Sequence, residues 1–449
     1  MFRNNDFKKI NLNINDIKTD ALKEYKNKYE PTFKESFAIC NYIIKFIKKN
    51  NKIIYGGYAQ NLLINKKNTN DTFYKELYGI LYNWPEIADI EFYSPDPILD
   101  ILNLTNELHN LNYKHIECKE GIHKGTFKIF INFINYCDIT YMPTFIYNKL
   151  PFINVKDIKC AHPHYMLIDT YRVIVDPLTS YFRLDKSINR FQILIKYYPI
   201  NNKYSKIILN DNINNNIIIN YIIKKIIYKS NLIVIGLYGY NYYIKKISKK
   251  NIINISYIEL ISNNITNDAK YIYKKLVNKY KNIEIKEYFP FFEYMDRRIE
   301  YYYNNNLILK LYGNNNKCII YNYSSKKNTY FGTFSLIYLY FLINYYYYLI
   351  NNKNNIINLI YKLLGNMIFF RDKYLNYKNI TIIDKSPFQY FTVKCFGLAV
   401  DIQREYRLSL SKKDSKSKFK YKPLQKKVPE YNFDNISGNQ ILNKKYLIL

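Results

Sequence analysis

The sequence predicts an α+β protein in which one structural unit occurs twice. A short apolar strand, a glycine turn and an apolar helix occur as IIYGGYAQNLLI at residues 53–64 and again as IVIGLYGYNYYI at residues 233–244. Each copy is followed by an alternating strand, IADIEFYS at 87–94 and NISYIELIS at 254–262, and then by an amphipathic helix. With 449 residues, 48% of them apolar, the chain is long enough for two or three domains with separate cores.

The two copies align residue by residue over the glycine turn and the following strand. The alignment makes three informative pairs: Gly56 with Gly236, Glu91 with Glu259, and Asp89 with Tyr257. The front copy therefore keeps an acidic pair that the back copy has lost. Chance similarity is the alternative, because Asn, Ile, Lys and Tyr dominate the composition of the whole chain.

Three carboxylates in the front copy are the candidate catalytic residues. Asp89 and Glu91 lie two apart on a predicted strand, so both side chains point to one side of it. Asp138 lies on another predicted strand among apolar neighbours. Grouped carboxylates repel each other unless a cation joins them, and Mg²⁺ or Mn²⁺ prefers such oxygen ligands. The pattern predicts a two-metal site for phosphoryl or nucleotidyl transfer.

The glycine pair fits the same chemistry. Gly56 and Gly57 lie between a strand predicted at 52–55 and a helix predicted from Ala59. Without a Cβ, backbone amides at such a turn can approach phosphate oxygens closely. Tyr58 can add its hydroxyl or its amide to the same cradle. Each feature alone is common, and their order along the chain is what favours a nucleotidyltransferase site.

The distribution of charge favours a polyanionic partner for the second half of the chain. Residues 201–449 hold 40 Lys and Arg against 15 Asp and Glu, a net charge of +25, whereas residues 1–200 hold 27 against 21, a net charge of +6. RNA bound mainly by the second half explains this asymmetry. The alternative is a solvated surface in a composition that is rich in Lys throughout.

These motifs resemble a known family. The order GG, DIE and a third Asp resembles the polymerase-β type of nucleotidyltransferases. The segments YGGYAQN, ADIEFYSPDP and HPHYMLIDTYRVIVDPLTSYFRLDKSINRF are similar to catalytic poly(A) polymerases of large nucleocytoplasmic DNA viruses, the poxvirus and mimivirus relatives. The resemblance covers about residues 50–195. Gly57 and Asp89 lie 32 positions apart, wider than is usual in the superfamily, and the viral branch resembles this chain in having the longer insertion.

The resemblance implies a polynucleotide adenylyltransferase that adds poly(A) to mRNA 3′ ends from ATP without a template. Carried over, Asp89, Glu91 and Asp138 would bind the metals, while Gly56 and Gly57 (with Tyr58) would contact ATP. The second half would be a degenerate, non-catalytic nucleotidyltransferase-like domain with additional helices. The resemblance also implies a homodimer or a viral processivity-factor partner, no membrane association, and a place in the virion and the host cytoplasm.

Two basic residues are further candidates for the nucleotide site. Lys186 and Arg190 lie four apart on a predicted helix and therefore share a face, where they can hold the triphosphate or the RNA 3′ end. The alternative is an ordinary solvated basic face beside Asp185.

We predict three segments: a catalytic domain at 1–195, a non-catalytic RNA-binding domain at 196–410, and a basic tail at 411–449. Within the tail, residues 411–427 carry eight Lys and one Asp, which indicates disorder. Residues 329–350 contain no charged side chain, yet their seven Tyr favour a buried helix over a membrane span. The six widely spread cysteines indicate reduced, mostly buried thiols.

Two rival functions remain open from the sequence. A different terminal nucleotidyltransferase, such as a uridylyl- or CCA-adding enzyme, would use the same three acids with a different base pocket. A non-catalytic RNA-binding pseudo-transferase is the other rival. The intact acids argue against it, because a retired site tends to lose them, as the back copy has.

Overall fold

A computed structural model gives the fold. It describes residues 2–29, 31–71, 90–207, 213–314, 317–397, 404, 408, 419–425, 427–431 and 433. The chain forms two compact units. Unit 1 comprises Met1–Pro163 and Ser409–Asn432, and unit 2 comprises His164–Leu408 and Phe433–Leu449. Asp89 lies outside the described residues.

Both units combine helices with one large sheet. The first segment of unit 1 contains α1 Asn4–Lys28, α2 Phe33–Lys49, β1 Ile53–Tyr55, α3 Gly56–Asn65, β2 Ile90–Ser94, α4 Pro97–Asn110, β3 Ile116–Glu120, β4 Thr126–Ile131, β5 Ile134–Tyr141, α5 Thr144–Tyr147, β6 Phe152–Val155 and β7 Ile158–Ala161. Unit 2 then contains α6 Pro163–Val175, α7 Pro177–Ser180, α8 Leu184–Tyr197, α9 Ile213–Lys225, β8 Ile233–Ile235, α10 Gly236–Ile244, β9 Ile258–Ser262, α11 Ile265–Val277, β10 Ile283–Tyr288, β11 Arg298–Tyr303, β12 Asn306–Gly313, β13 Ile319–Ser324, β14 Thr329–Gly332, α12 Phe334–Ile350, α13 Asn354–Lys378 and β15 Cys395–Phe396. The last strand, β16 Lys420–Tyr421, belongs to unit 1.

The sheet of unit 1 has the strand order β16-β3-β4-β5-β2-β1-β7-β6. Strand β2 runs antiparallel to β1 and parallel to β5, which places β2 in the middle of the sheet. One face of this sheet is apolar, and Ile90, Phe92, Cys137 and Ile139 on it are fully buried. Helices α2 and α4 contact this sheet. Phe46 of α2 packs against Phe92 with ring centroids 6.4 Å apart.

The sheet of unit 2 repeats this design. Its order is β10-β11-β12-β9-β8-β14-β13-β15, and its first seven strands take the places of β3, β4, β5, β2, β1, β7 and β6. The relative directions also agree, since β8 runs antiparallel to β9 while β12 runs parallel to it. The structure therefore confirms the repeat, and the fold is α+β as predicted.

A shared cap follows the central strand in both copies. In unit 1 the Ser94 hydroxyl donates to the Asp100 carboxylate and accepts a hydrogen bond from the amide of Asp96. In unit 2 the Ser262 hydroxyl bonds Asp268 in the same way and accepts from the amide of Asn264. Asp96 and Asn264 then cap α4 and α11. The alignment of the two copies thus extends into the helix that follows the strand.

The two compact units divide at Pro163, and residue 195, the predicted domain boundary, lies on α8 within unit 2. The reason is aromatic packing, because α6 contributes its large side chains to unit 2. The ring of Tyr165 lies 5.1 Å from that of Tyr346, and the ring of Tyr171 lies 4.8 Å from that of Tyr338. All four residues are buried.

Part of the basic tail is ordered, which corrects the prediction of disorder at 411–427. Strand β16 adds to the edge of the unit 1 sheet, with Lys420 opposite Lys119 and Tyr421 opposite Cys118. The Phe419 carbonyl accepts a hydrogen bond of 2.9 Å from the amide of Glu120. Both Phe419 and Tyr421 are buried. Two apolar anchors therefore fix this segment in spite of the lysines around them.

Helix α12 occupies most of the uncharged stretch at 329–350. Nearly all of its side chains are buried within unit 2, as predicted. Among the helices that the structure describes, none has the length and hydropathy needed to cross a bilayer.

The prediction of six reduced cysteines is wrong for one pair. Cys318 and Cys395 form a disulfide, with Cα atoms 5.2 Å apart. Pairing of β13 with β15 brings the two cysteines together, although they lie 77 positions apart in the sequence. Their spacing in the sequence gives no sign of this contact. The other four cysteines are buried and do not form disulfides.

We expect Phe419→Ala to destabilise unit 1. The Phe419 ring packs edge-on against Phe127 at 5.3 Å, and replacing a buried Phe by Ala costs about 3–5 kcal/mol. Native-state hydrogen exchange of the β3 and β4 amides measures this change in opening free energy. Leu424→Ala is the matched control, because Leu424 is 80% exposed in the same segment. Equal protection in the two variants would contradict a stabilising role for β16.

Candidate active site

Four side chains form a row across the middle of the unit 1 sheet. Tyr55 on β1 is the register partner of Glu91 on β2, Glu91 is the partner of Asp138 on β5, and Asp138 is the partner of Lys128 on β4. Register partners on neighbouring strands point to the same face. This face lies opposite the buried apolar one, because Glu91 and Asp138 alternate along their strands with Phe92 and Cys137. The structure thus brings two of the three predicted acids side by side.

Gly56 makes the position of Glu91 possible. It has a φ of +68°, and a Cβ added there would overlap the Glu91 carboxylate. The Gly57 amide donates a hydrogen bond of 3.2 Å to Glu91 Oε2. The helix α3 begins at Gly56 itself, so the predicted start at Ala59 is corrected. The glycines form its first turn, where amides are not used by the helix.

Asp138 is held by two neighbours that sequence analysis missed. Lys128 Nζ lies 2.5 Å from Asp138 Oδ2, with 29% of the lysine side chain and 12% of the aspartate side chain exposed. Asn135 Nδ2 donates 2.8 Å to Asp138 Oδ1. Asn135 reaches Asp138 from three residues away because a register shift interrupts the β4–β5 pairing at Ile129 and Phe130. The sequence did give one signal for Lys128, because it is the single charged residue in the segment TFKIFI.

The residues present fit a hard cation. Two carboxylates side by side require positive charge, and Lys128 supplies only one unit of it. Asn135 Oδ1, next to Asp138, is a buried acceptor without a hydrogen-bond partner. Oxygen donors of this kind are the ligands that Mg²⁺ and Mn²⁺ prefer. Among the residues that the structure describes, no group of three His, Cys, Asp or Glu is assembled.

The remaining predicted site residues are placed as follows. Tyr58 lies in the first turn of α3 and is buried, which favours its amide over its hydroxyl as a contact for a ligand. Lys186 and Arg190 lie one turn apart on α8, as predicted, but α8 belongs to unit 2. The row on the unit 1 sheet therefore does not include them.

The equivalent row in unit 2 has a different composition. Glu259 keeps the place of Glu91, but Lys310 takes the place of Asp138 and Glu300 takes the place of Lys128. The front pair of charges is thus reversed in the back copy. A Cβ at Gly236 would again meet the glutamate carboxylate, so the glycine turn is retained.

The row in unit 2 is also closed. Glu259 is 3% exposed and accepts a hydrogen bond of 2.8 Å from the Tyr312 hydroxyl. Lys310 is 1% exposed, and its Nζ lies 2.6 Å from the hydroxyl of Tyr348 on α12. The Tyr257 ring lies 4.7 Å from the same Nζ. Among the described residues, tyrosine side chains therefore cover this row, and Glu259 has a lysine as its register partner where Glu91 has an aspartate.

Two family models match the chain. The model described as "Poly(A) polymerase catalytic subunit" matches residues 41–180. The model described as "APMV, Putative poly(A) polymerase, catalytic subunit, C-terminal" matches residues 192–449, which is more than half of the chain. The first match contains the row of site residues in unit 1, and the second contains the closed row in unit 2.

Individual relatives agree with the family models. A protein of Acanthamoeba polyphaga mimivirus named "Putative poly(A) polymerase catalytic subunit" is 29% identical over all of this chain and 84% of its own length. A protein of the same name from African swine fever virus (strain Badajoz 1971 Vero-adapted) is 26% identical over 41% of this chain and 39% of its own length.

A solved structure has the same architecture. The structure described as "Crystal structure of the Megavirus polyadenylate synthase" matches with a TM-score of 0.89 and 28% identity. The match covers all of this chain and 94% of that chain. The α+β, nucleotidyltransferase-type fold predicted from the sequence is thereby confirmed. The chain belongs to the family of poly(A) polymerase catalytic subunits of large DNA viruses, which are nucleotidyltransferases.

Proposed function

We propose that the protein adds adenylate from ATP to mRNA 3′ ends without a template, using two Mg²⁺ or Mn²⁺ ions held by Asp89, Glu91 and Asp138. The observation that carries the proposal is the pairing of Glu91 with Asp138 on adjacent parallel strands, directly beside the first turn of α3. Carboxylates that suit a metal and the first turn of a helix, whose N-terminal end favours a phosphate, thus lie at one place. The names of the family's members support the choice of adenylate.

Metal ions bound there would activate the attacking RNA hydroxyl and stabilise the charge on the transferring phosphate. The chain's own residues prepare this site. The Gly57 amide fixes the Glu91 carboxylate, and Asn135 fixes one oxygen of Asp138. The Lys128 ammonium compensates the paired carboxylates before a metal enters. Lys186 and Arg190 remain candidates for the triphosphate or the RNA 3′ end.

The rival nucleotidyltransferases differ from this proposal only in the base that they select. The row of Glu91, Asp138 and Lys128 would act on the triphosphate and its metal ions, and these are the same for every nucleotide. The choice among ATP, UTP and CTP therefore requires a direct measurement of activity with each nucleotide.

Extension of a labelled RNA primer with each of the four NTPs, in Mg²⁺ or Mn²⁺, tests the proposal. We expect extension with ATP by the wild-type protein and a loss of at least about 100-fold in Glu91→Gln, because removing a metal ligand weakens the stabilisation of the transition state. Asp89→Asn is expected to behave in the same way. Extension mainly with another nucleotide would support the rival transferases.

The unit 2 copy supplies the matched control. Glu259→Gln makes the same chemical change at the equivalent position, and we expect it to keep extension activity while lowering the melting temperature. The reason for the lower melting temperature is that the Lys310 ammonium, buried nearby, loses a compensating charge. Loss of activity in Glu259→Gln without unfolding would contradict the assignment of catalysis to unit 1.

The variant Lys128→Met tests whether the Lys128 ammonium compensates the two carboxylates in the metal-free protein, as a metal ion would in the loaded protein. Without its ammonium, the metal-free protein keeps two uncompensated carboxylates, whereas the metal-bound protein does not need the lysine. We therefore expect Mn²⁺ to bind about three- to tenfold more tightly in the variant, measured from the electron paramagnetic resonance signal of free Mn²⁺.

Lys52→Met is the control for this measurement. Lys52 Nζ forms an ion pair of the same 2.5 Å length with Asp100, outside the row. The control variant should lose stability but keep the wild-type affinity for Mn²⁺. Weaker binding of Mn²⁺ by Lys128→Met would mean that the lysine orients Asp138 for the metal and does not compete with it.

A further inference from the structure

One corner of unit 2 concentrates positive charge. Lys245 and Lys246 follow the last turn of α10, and Lys327 lies between β13 and β14. Lys245 and Lys246 are exposed and Lys327 is partly exposed. Among the residues that the structure describes, none of these three lysines forms an ion pair with a carboxylate. We call these three residues the lysine corner.

Aromatic rings position two of the three ammonium groups of the corner. Lys327 Nζ lies 5.2 Å from the centre of the Tyr238 ring and 3.4 Å from its hydroxyl. Lys246 Nζ lies 5.1 Å from the Tyr242 ring, which stacks on Phe331 at 4.1 Å. Cation–π contacts of this kind hold lysines without neutralising them. The corner therefore keeps its full charge in a defined place.

The segments that build the corner contain no acidic residue at all. Residues 212–258 and 301–371 carry 14 Lys and Arg but no Asp or Glu in 118 positions. At the chain's overall frequency of 36 acidic residues in 449, about nine would be expected there. A general excess of Lys, such as this composition has, does not explain why acids are missing.

The lysines of the corner lie close enough to repel one another. Burial and the charges of Lys245 and Lys246 lower the pKa of Lys327. The fold therefore maintains an unfavourable concentration of like charges, which an anion would relieve.

The corresponding corner of unit 1 also has lysines, Lys66 and Lys156, but in different surroundings. In the alignment of the copies Lys66 takes the place of Lys246, and its Nζ donates a hydrogen bond of 3.0 Å to the Asn154 carbonyl. The β6–β7 turn there contains Asp157, whereas the β13–β14 turn contains no acid. The two corners thus differ in that an acid lies beside the lysines in unit 1, whereas the segments that build the unit 2 corner contain none.

An exposed ring lies on the same hairpin as Lys327. Tyr323 of β13 is 48% exposed, and its ring lies 5.0 Å from that of Tyr330 on β14. Its hydroxyl donates 2.7 Å to Asn328, next to Lys327. A half-exposed aromatic ring beside lysines suits a nucleobase and its phosphate, a combination that other polyanions do not offer.

We propose that the lysine corner binds backbone phosphates of the single-stranded RNA substrate, with Tyr323 stacking on one of its bases. The inference rests on the proposed function, because that function supplies the RNA. It gives the non-catalytic copy a specific role, since a unit that lost its acids became an anchor for the polymer that the other copy extends.

The inference is tested by the affinity for a labelled single-stranded RNA, measured by fluorescence anisotropy at several salt concentrations. The variant Lys245→Gln/Lys246→Gln/Lys327→Gln is expected to bind about tenfold or more weakly at 0.1 M salt. The slope of log K against log salt should become shallower by about 2, because three phosphate contacts are removed. Tyr323→Ala should weaken binding at least about threefold with an unchanged slope, because stacking releases no counterions.

A control variant separates this corner from general charge loss. Lys362→Gln/Lys373→Gln/Lys378→Gln removes the same charge from exposed positions on α13. It should keep the affinity within about twofold, and equal melting temperatures of the two triple variants establish that both fold. Equal weakening in both triple variants, or wild-type affinity and slope in the corner variant, overturns the proposal.

Primer extension by the wild-type protein is measured in parallel. If the wild-type protein binds RNA through the corner but extends it with no nucleotide, the proposed function fails while the corner stands as an RNA site. If it extends RNA normally and the corner variant binds like the wild-type protein, only the corner is overturned.

Discussion

Two carboxylates at matched positions of adjacent parallel strands are the constraint on which the rest of unit 1 depends. The register of β2 and β5 places Glu91 beside Asp138, and nearby positive charge and dipoles must compensate the repulsion between the two carboxylates. Lys128 and Asn135 stabilise the Asp138 carboxylate by an ion pair and a hydrogen bond, and the first turn of α3 stabilises the Glu91 carboxylate by a hydrogen bond. Gly56 is required because that turn approaches the carboxylate too closely for any side chain.

The second copy shows what happens when this constraint is relaxed. With the acid and the base exchanged between the two strands, Lys310 lies between Glu259 and Glu300, so the row contains two attractive pairs and no adjacent carboxylates. Such a row can be buried, because its charges satisfy one another and the tyrosines around them. The same backbone therefore supports a face with adjacent carboxylates in one unit and a buried polar core in the other. The difference depends on a few side chains and not on the fold.

Local periodicity was enough to predict much of this protein. The repeat, the glycine turn and the acids at Glu91 and Asp138 follow from patterns that extend over a few residues. Lys128 and Asn135 were missed because their roles depend on which strands pair and on a register shift between them. The Cys318–Cys395 disulfide and the return of Phe419 to unit 1 depend on contacts across 77 residues or more. Asp89 lies outside the described residues, so its place in the site stays a prediction.

The position of β16 has a consequence for biosynthesis. Unit 1 receives its outermost strand from residues 420–421, although its partner β3 ends at residue 120. Because ribosomes add roughly 5–20 residues each second, β3 has an unpaired edge for roughly 15–60 s while residues 121–419 are made. Open strand edges invite pairing with other chains. The newly made sheet of unit 1 is therefore exposed to misassembly until residues 420–421 have been synthesised and can pair with β3.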